Sequence, residues 1–494
     1  MEHLFGSSHA VQLSALFLAL ALALGFECVN GFHDTANAVA TVIYTHSLPP
    51  WVAVIWSGIW NFIGVLTSSG AVAFAVVSLL PIELVSDVVS APGFAMLYSL
   101  LISALLWNLG TWYLGLPVSS THSLIGSIMC VGLMNSLLKS GSLMGGVNWG
   151  NAKGVGLSLM ISPLVGFGCT ALLFLLLKAL VHKPDLYSPA DAKKPPPLWI
   201  RSILCLTCTG VSFAHGSNDG QKGLGIMMLI LVGIVPGIYA INLSPKADSI
   251  GQLRTLSQNA AVILKSHDGN ALLETNGAAG ALQAYLKPGG VFSNAVYTAV
   301  ASKNEQIVDT LGHYKSMDQL PEDQRNALRT AIYLTSESIA KLSKEGKFSG
   351  SDASTMEKYK AALDQTTRFI PVWVKFSVAL ALGVGTMIGW KRVVVTVGER
   401  IGKTHLTYAQ GVSAEMVTMI TIVLATEFGL PVSTTHVLSS GVAGAMAANR
   451  SGLQSGTLRN LLLAWVLTLP ACVFLGASLF AGILLLITHV LGLH

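Results

Sequence analysis

The chain has 494 residues, of which 52% are hydrophobic and 11% charged, and its formal net charge is +5. Soluble domains carry about 25% charged residues, so most of this chain does not meet water, and a soluble or secreted protein is excluded. The small positive balance is spread over loops and gives no reason to invoke nucleic acid; the partner it implies is a lipid bilayer.

Taken in order, the chain opens on an apolar stretch, Val11–Val29. It resembles the core of a signal peptide, but it lacks a basic start and runs straight into further apolar segments, so it is read as a span. Stretches such as Trp51–Leu80 and Leu157–Leu177 hold no charge at all. A run of ~18 or more apolar residues can cross the hydrocarbon core as a helix, and at least eight segments reach or approach that length. The six cysteines, Cys28, Cys130, Cys169, Cys205, Cys208 and Cys472, all fall in apolar segments, where thiols behave as small hydrophobes. Cys205 and Cys208 form a C-x-x-C, but no second pair follows, so packing is favoured over metal or redox chemistry.

Polar residues cluster in three places. Residues 182–198 form a linker that contains Lys183, Lys193, Lys194 and Pro195-Pro196-Pro197. Residues 244–368 hold 27 of the chain's 53 charges and read as a soluble helical insertion without a catalytic constellation. Pro321-Glu322-Asp323 opens one of its helices with proline first and acids in the first turn, and Asn326–Lys344 and Ser354–Leu363 have amphipathic spacing. The third cluster is the short loop Lys391–Lys403. Short basic loops prefer the cytoplasm. With the linker and this loop inside, parity puts the insertion and both termini outside. The expected domains are a first membrane repeat over 1–181, a cytoplasmic linker over 182–198, a second repeat over 199–243 and 369–494, and the insertion between its parts.

Two motifs occur twice. Gly115-Leu116-Pro117-Val118-Ser119-Ser120-Thr121-His122 returns as Gly429-Leu430-Pro431-Val432-Ser433-Thr434-Thr435-His436, with seven of eight positions identical. Gly31-Phe32-His33-Asp34-Thr35-Ala36-Asn37 is matched more weakly by Gly216-Ser217-Asn218-Asp219-Gly220-Gln221-Lys222. In each half the acidic motif precedes the hydroxyl motif. A duplicated unit with interrupted apolar segments at matching positions is the mark of a secondary transporter whose site lies between the halves. The parity above makes the two copies inverted. The expected fold is therefore an all-α membrane protein, an inverted repeat with two re-entrant helical hairpins and a soluble helical insertion.

The residue types indicate what is carried. Gly and Pro end the helix before each hydroxyl motif, and Ser and Thr cap the next one. The following helix presents free N–H groups and a partial positive charge, an anion site, to which Ser119, Ser120, Thr121, Ser433, Thr434 and Thr435 add donors. A polar-capped turn between ordinary spans is the plainer alternative, weakened by the second copy. Asp34 and Asn37, like Asp219 and Lys222, are one helical turn apart. Ionisable groups inside a membrane are functional candidates by default. Carboxylates beside an anion site make sense if they take a proton or hold a coupling cation. Sulfate carries no proton at neutral pH, so phosphate is preferred over sulfate. Each negative charge moved inward against a negative-inside potential costs about 2.3 kcal/mol per 100 mV, so phosphate must travel with protons, sodium or a divalent metal.

Weaker signals surround these motifs. Glu27 and Asn30 extend the first polar face. Asn61 and Asn108 read as helix–helix hydrogen bonds, and Glu415 lies between site and structural readings. His122 and His436 read as orienting neighbours. An intramembrane hydrolase built on Ser119 and His122 is disfavoured, because one site needs no second copy. A receptor reading of the insertion is testable by deleting it.

At these motifs the sequence resembles the inorganic phosphate transporter family, PiT. The stretches Gly31–Asn37 and Gly216–Asp219 and both Gly-Leu-Pro-Val-Ser copies look like its signature, and the resemblance spans both halves. The insertion looks like that of the bacterial low-affinity Pit branch. The resemblance implies a carrier in the plasma membrane, the inner membrane of a bacterium. It imports phosphate, as a metal–phosphate complex, by proton symport, without enzymatic activity and without a cofactor. It further implies that Asp34, Asn37 and Asp219, with the Ser and Thr of both turns, line the site; Asn218, beside Asp219 in the second motif, is a further substrate-binding candidate. Sodium-coupled relatives read Asn-Asp-x-x-Asn in both copies; here His33 replaces the first Asn and Lys222 the last. Asn61 stands where many of them have Glu, whereas Glu415 matches their acidic position. Lys222 puts a cation where sodium would sit, which argues for protons, with Asp34, Asp219, Lys222 and Glu415 as coupling residues. Which metal travels with phosphate stays open, as does the oligomeric state, a homodimer included.

Overall fold

The computed structural model describes residues 9–80, 88, 90–142, 146–147, 149–190, 195–243, 249–267, 277–287, 289–314 and 316–490. Lys193 and Lys194 of the linker, the start of the insertion and both chain ends lie outside the described residues. Among the described residues the fold is all helical, with no strand beyond two isolated bridges. Eight helical stretches are long and apolar enough to cross a membrane, so the chain is a multi-pass membrane protein.

The chain divides into two compact units. The first holds both pairs of motifs. Before the linker it contains α1 (His9–Asp34), α2 (Ala36–Tyr44), α3 (Pro50–Thr67), the short α4 (Ala71–Val77), α5 (Ala91–Tyr113), α6 (Ser120–Ser140) and α7 (Trp149–Leu180). After the linker comes α8 (Leu198–Ile234), at 37 residues about 55 Å long, well beyond the ~30 Å of a bilayer core. The second unit consists of Val88 and the described part of Met228–Ile370. It carries α9 (Ser249–His267), α10 (Gly277–Leu286), α11 (Ala295–Gly312), α12 (Glu322–Lys344) and α13 (Gly350–Thr367). The chain then re-enters the first unit with α14 (Val372–Met387), the short α15 (Lys391–Glu399), α16 (Tyr408–Glu427), α17 (Thr434–Ala448) and α18 (Ser455–Leu485).

Helices from before and after the linker pack on each other. α6 packs on α18, while α17 packs on α7. α1 crosses α14, and α8 crosses α3. α3 and α14 pack on each other. The long helices α7 and α18 each carry one internal proline, Pro163 and Pro470. The crossings explain the glycine that the two acidic motifs share. A Cβ on Gly31 would lie 2.4 Å from the Leu382 carbonyl oxygen of α14, and one on Gly216 would lie 2.2 Å from that of Asn61 in α3. The partner helices bring a glycine of their own to the same crossing, Gly385 against Cys28 and Gly64 against Phe213. Small residues of this kind let helix backbones approach where lipid supplies no hydrophobic drive between helices.

The second unit is a helical bundle with its own apolar core. Helix α12 starts after Pro321 with Glu322 and Asp323 in its first turn, as its sequence predicts, and buries Leu328, Ile332, Ile339 and Leu342. These meet Leu253, Leu264, Tyr285, Val300, Tyr359 and Leu363 in one core. The buried Asn304 is satisfied there. Its amide donates to the Ser257 carbonyl at 3.1 Å, and it accepts from Ser257 Oγ and, at 2.6 Å, from Tyr359 OH.

Gly64→Leu forces a branched side chain into the α3–α8 crossing, where overpacking typically costs about 1–3 kcal/mol. A clear fall in melting temperature in detergent, or loss of folded protein, is expected. Gly110→Ala, with nothing within 4 Å of its added Cβ, is the control that leaves the melt unchanged.

Candidate functional site

The two hydroxyl motifs fold into the same turn. Gly115 and Gly429 take left-handed backbone angles, φ +68° and +64°, which glycine adopts without strain. The amides of Gly115 and Leu116 return to Trp112 and Thr111, and those of Gly429 and Leu430 to Thr426 and Ala425. This is the bonding of a Schellman helix end. Ser119 then caps α6 by accepting from the His122 amide at 3.2 Å, and Ser433 caps α17 from His436 at 3.2 Å. The first turns of the two new helices meet. The rings of His122 and His436 lie 4.5 Å apart, and His436 stacks on Trp465 at 4.1 Å. Trp465 also donates to the Pro117 carbonyl of the first turn at 3.2 Å. The sequence predicts half-helices beside these turns. The arms are longer: 23 and 21 residues in α5 and α6, 20 and 15 in α16 and α17.

Asp34 sits where the first acidic helix is interrupted, between α1 and α2. Its Oδ1 accepts from Asn37 at 2.9 Å and from the Thr435 hydroxyl; its Oδ2 accepts from Ser120 at 3.2 Å. Asn37 also donates to the hydroxyls of Thr434 and Thr435, each at 3.1 Å. One carboxylate thus takes hydroxyls from both turns. The second acidic motif lies in the uninterrupted α8. Lys222 Nζ is 2.8 Å from Asp219 Oδ1 and donates to the Thr121 hydroxyl, which passes a bond on to the Val432 carbonyl at 3.0 Å. Lys222 is 0% exposed, Asp219 1% and Asp34 2%.

Sequence reading missed His215. Its Nε2 stands between the two carboxylates, 3.4 Å from Asp34 Oδ2 and 3.7 Å from Asp219 Oδ2. Its Nδ1 lies 2.7 Å from Asn61 Oδ1. The available signal was a histidine four residues before a buried aspartate on an apolar helix, which puts both on one face. Asn61 does act as a helix–helix link, and its amide reaches Ser57 and Thr386 at 3.4 Å each. Among the described residues Asp34, His215 and Asp219 are also the one group of His, Cys, Asp or Glu side chains close enough to share a metal ion, with ligand atoms within 4.8 Å of one another.

Other expected residues fall to the side. Asn218 donates to Thr426 at 2.9 Å and to the Leu430 carbonyl at 3.3 Å, so its amide braces the base of the second turn. Glu415, on α16, is held by the hydroxyls of Thr41 and Thr207; Thr41 is one turn of α2 beyond Asn37, and among the described residues Glu415 shares no bond with Asp34, Asp219 or Lys222. Glu27 accepts from Asn30 at 3.4 Å and fills the space that Gly223 leaves open. Ser119 and Ser433 spend their acceptors on their own helices.

A buried cluster of two carboxylates, a histidine and a lysine, ringed by hydroxyls from two helix N-termini, is arranged to hold an anion and to exchange a cation or proton. The family model for the phosphate transporter family matches residues 30–476, a span that contains every residue of this cluster. The chain belongs to the phosphate transporter family. Its relatives in that family include the low-affinity inorganic phosphate transporters PitA and PitB of Escherichia coli K12. PitA is 42% identical over 97% of this chain and 99% of its own length, and PitB is 40% identical over 94% and 96%. A probable low-affinity inorganic phosphate transporter of Bacillus subtilis is 25% identical over 94% and 96%. A solved sodium-dependent phosphate transporter shares the fold, with a TM-score of 0.51 at 19% identity, covering 95% of this chain and 98% of that one. These relatives are named as transporters.

The Asp219–Lys222 pair has a stability consequence. Removing one partner of a buried pair costs about 3–5 kcal/mol, because it strands the other charge. Asp219→Asn is expected to lower the melting temperature in detergent more than the double variant Asp219→Asn/Lys222→Met does. Equal losses in the two would show that the pair carries no mutual charge compensation.

Proposed function

We propose that the protein imports inorganic phosphate by proton symport through the cluster around Asp34 and Asp219. The observation that carries this reading is the convergence of both hydroxyl turns on one buried acidic cluster, in a chain 42% identical to a low-affinity inorganic phosphate transporter. Phosphate binds among the hydroxyls of Ser120, Thr121, Thr434 and Thr435, the amide of Asn37 and the Lys222 ammonium. In the unloaded cluster Ser120, Thr435 and Asn37 are spent on Asp34 and Lys222 on Asp219, while Thr121 donates to the Val432 carbonyl. A proton on Asp219 releases Lys222 to attract the anion, and one on Asp34 releases the hydroxyls. Proton and phosphate binding are then the same event. His215 bridges the two carboxylates: with Nδ1–H directed at Asn61, a proton on Nε2 serves both.

The architecture we propose for this task is an inverted repeat. Residues 1–181 form one copy, and 199–243 with 369–494 form the other, joined by a cytoplasmic linker over 182–198. The reciprocal contacts of α6 with α18 and α17 with α7 support it. Two re-entrant turns are supported by the place where they meet. They touch residues inside two candidate spans, Asp34 about two-thirds along Leu13–Tyr44 and Lys222 about two-thirds along Leu198–Ile234. Half-helix N-termini that point at a midplane anion are a known solution in carriers. The protein then resides in the bacterial inner membrane with residues 244–368 outside.

A divalent metal carried with the phosphate is the second reading, favoured by one measurement. The 3.4 and 3.7 Å edges from His215 Nε2 approach the ~3.4 Å between ligands of a tetrahedral ion with bonds of ~2.1 Å.

Labelled phosphate uptake into proteoliposomes tests the proposal. An inward proton gradient is expected to drive uptake without sodium, and excess sulfate is expected not to compete. Asp34→Asn and Asp219→Asn are expected to abolish uptake while still inserting. Lys222→Asn is expected to lose proton-driven uptake. Uptake that follows sodium alone, or normal transport by Lys222→Asn under a proton gradient, overturns the coupling. A chelator that abolishes uptake by the wild type selects the metal-bearing cargo.

A further inference from the structure

A second cationic site lies apart from the cluster, beside the outer edge of the first turn. A cavity of about 600 Å³ opens there between the end of α5 and the start of α15, lined by Trp112, Tyr113, Trp390, Lys391, Arg392 and Arg400 among others. Three of these side chains are cations, and no carboxylate lines the cavity. Among the described residues no ion pair engages Lys391, Arg392 or Arg400. Glu399, next to Arg400 in sequence, does not line the cavity.

Arg392 is held in place. Its guanidinium lies 5.3 Å from the Trp112 ring and 4.8 Å from the Tyr113 ring, and its Nη1 donates to the Tyr113 carbonyl at 2.6 Å. Trp112 is itself fixed by a 2.8 Å bond to the Gly389 carbonyl. The lining includes the exposed Tyr113 (65%) and Leu114 (69%), and Ile388, next in sequence to the lining Gly389, is 55% exposed. The repeated fold does not require these cations. At the matching position Gly429 faces Ala71 of α4, and Ala71–Val77 contains no charged residue.

We infer that this pocket binds the phosphodiester headgroup of an anionic phospholipid, with the acyl chains along Leu114 and Ile388. Arginine held by aromatic faces, flanked by further cations and bordered by an exposed Tyr and half-buried Trp, is the chemistry of an anionic membrane interface. Its volume falls in the ~300–1,000 Å³ range of small-molecule pockets. The shared chemistry is a phosphate monoanion, and free inorganic phosphate is the competing source. The exposed apolar rim favours the lipid. An occupant has a route to the transport turn, because Arg392 holds the Tyr113 carbonyl and Thr396 donates to the Gly115 carbonyl at 2.8 Å. Bound lipid therefore steadies the segment from which Ser120 and Thr121 project.

The test uses the purified full-length protein in a neutral detergent. It is titrated separately with short-chain phosphatidylglycerol, short-chain phosphatidylcholine and inorganic phosphate, and melting temperature and native mass are read. Phosphatidylglycerol is expected to raise the melting temperature and to be retained; phosphatidylcholine is not. Lys391→Gln/Arg400→Gln removes two cations without touching the Arg392 bonds. It is expected to weaken phosphatidylglycerol binding roughly fivefold per cation, with the melt of the lipid-free protein unchanged. If the double variant does not fold, Lys391→Gln alone gives the same reading at smaller amplitude. Equal responses to the two lipids, or unchanged phosphatidylglycerol binding in the variant that folds, overturn the proposal. So does displacement of phosphatidylglycerol by millimolar inorganic phosphate, which would assign the pocket to the free anion.

Discussion

Four ionisable side chains, Asp34, His215, Asp219 and Lys222, stand together where almost no water reaches them. A charge in that position is tolerated only with a partner and hydrogen bonds, and the rest of the membrane unit is arranged to supply these. Asp34 takes hydroxyls from both turns, Lys222 takes a carboxylate and a hydroxyl, and His215 stands between the carboxylates. No single half of the chain provides that set. The cluster therefore ties the two parts of the chain together and assembles hydroxyls, an amide and an ammonium in one buried place.

Backbone packing makes the assembly possible. Gly31 and Gly216 sit three residues before Asp34 and Asp219, and each is the point where its helix touches a helix of the other half. The contact fixes the depth and rotation of the acidic motif. Each aspartate then projects one turn further on, toward the turns rather than toward lipid. The turns are fixed in the same economical way. A left-handed glycine ends one helix and a serine side chain starts the next, so the second and third hydroxyls are free to face the cluster.

Much of this was legible in the sequence. The repeated Gly-Leu-Pro-Val-Ser motif carries its own capping chemistry, so the turns, the caps and their pairing follow from the residues themselves. The one-turn spacing of Asp34 with Asn37 and of Asp219 with Lys222 gave two contacts that the structure contains. What the sequence hides is long-range. His215 reaches the cluster only because α8 crosses α3, which no local pattern announces. Glu415 has the right chemistry, but its helix turns it toward Thr41 and Thr207. The two acidic motifs also differ in a way that spacing does not reveal. The first is interrupted at Thr35, while the second runs unbroken through α8, in keeping with a Lys222 that satisfies its carboxylate from within the same helix.

The central claim is that phosphate occupies this cluster, displacing the carboxylates from the hydroxyls of the two turns. A structure determined by electron cryomicroscopy at saturating phosphate and acidic pH tests it directly. Tetrahedral density is expected within about 3 Å of the Thr121 and Thr435 hydroxyls and of Lys222 Nζ, with the Asp219–Lys222 contact opened. Density bound elsewhere, with Asp34 still held by Ser120 and Thr435 and Asp219 still on Lys222, would contradict it.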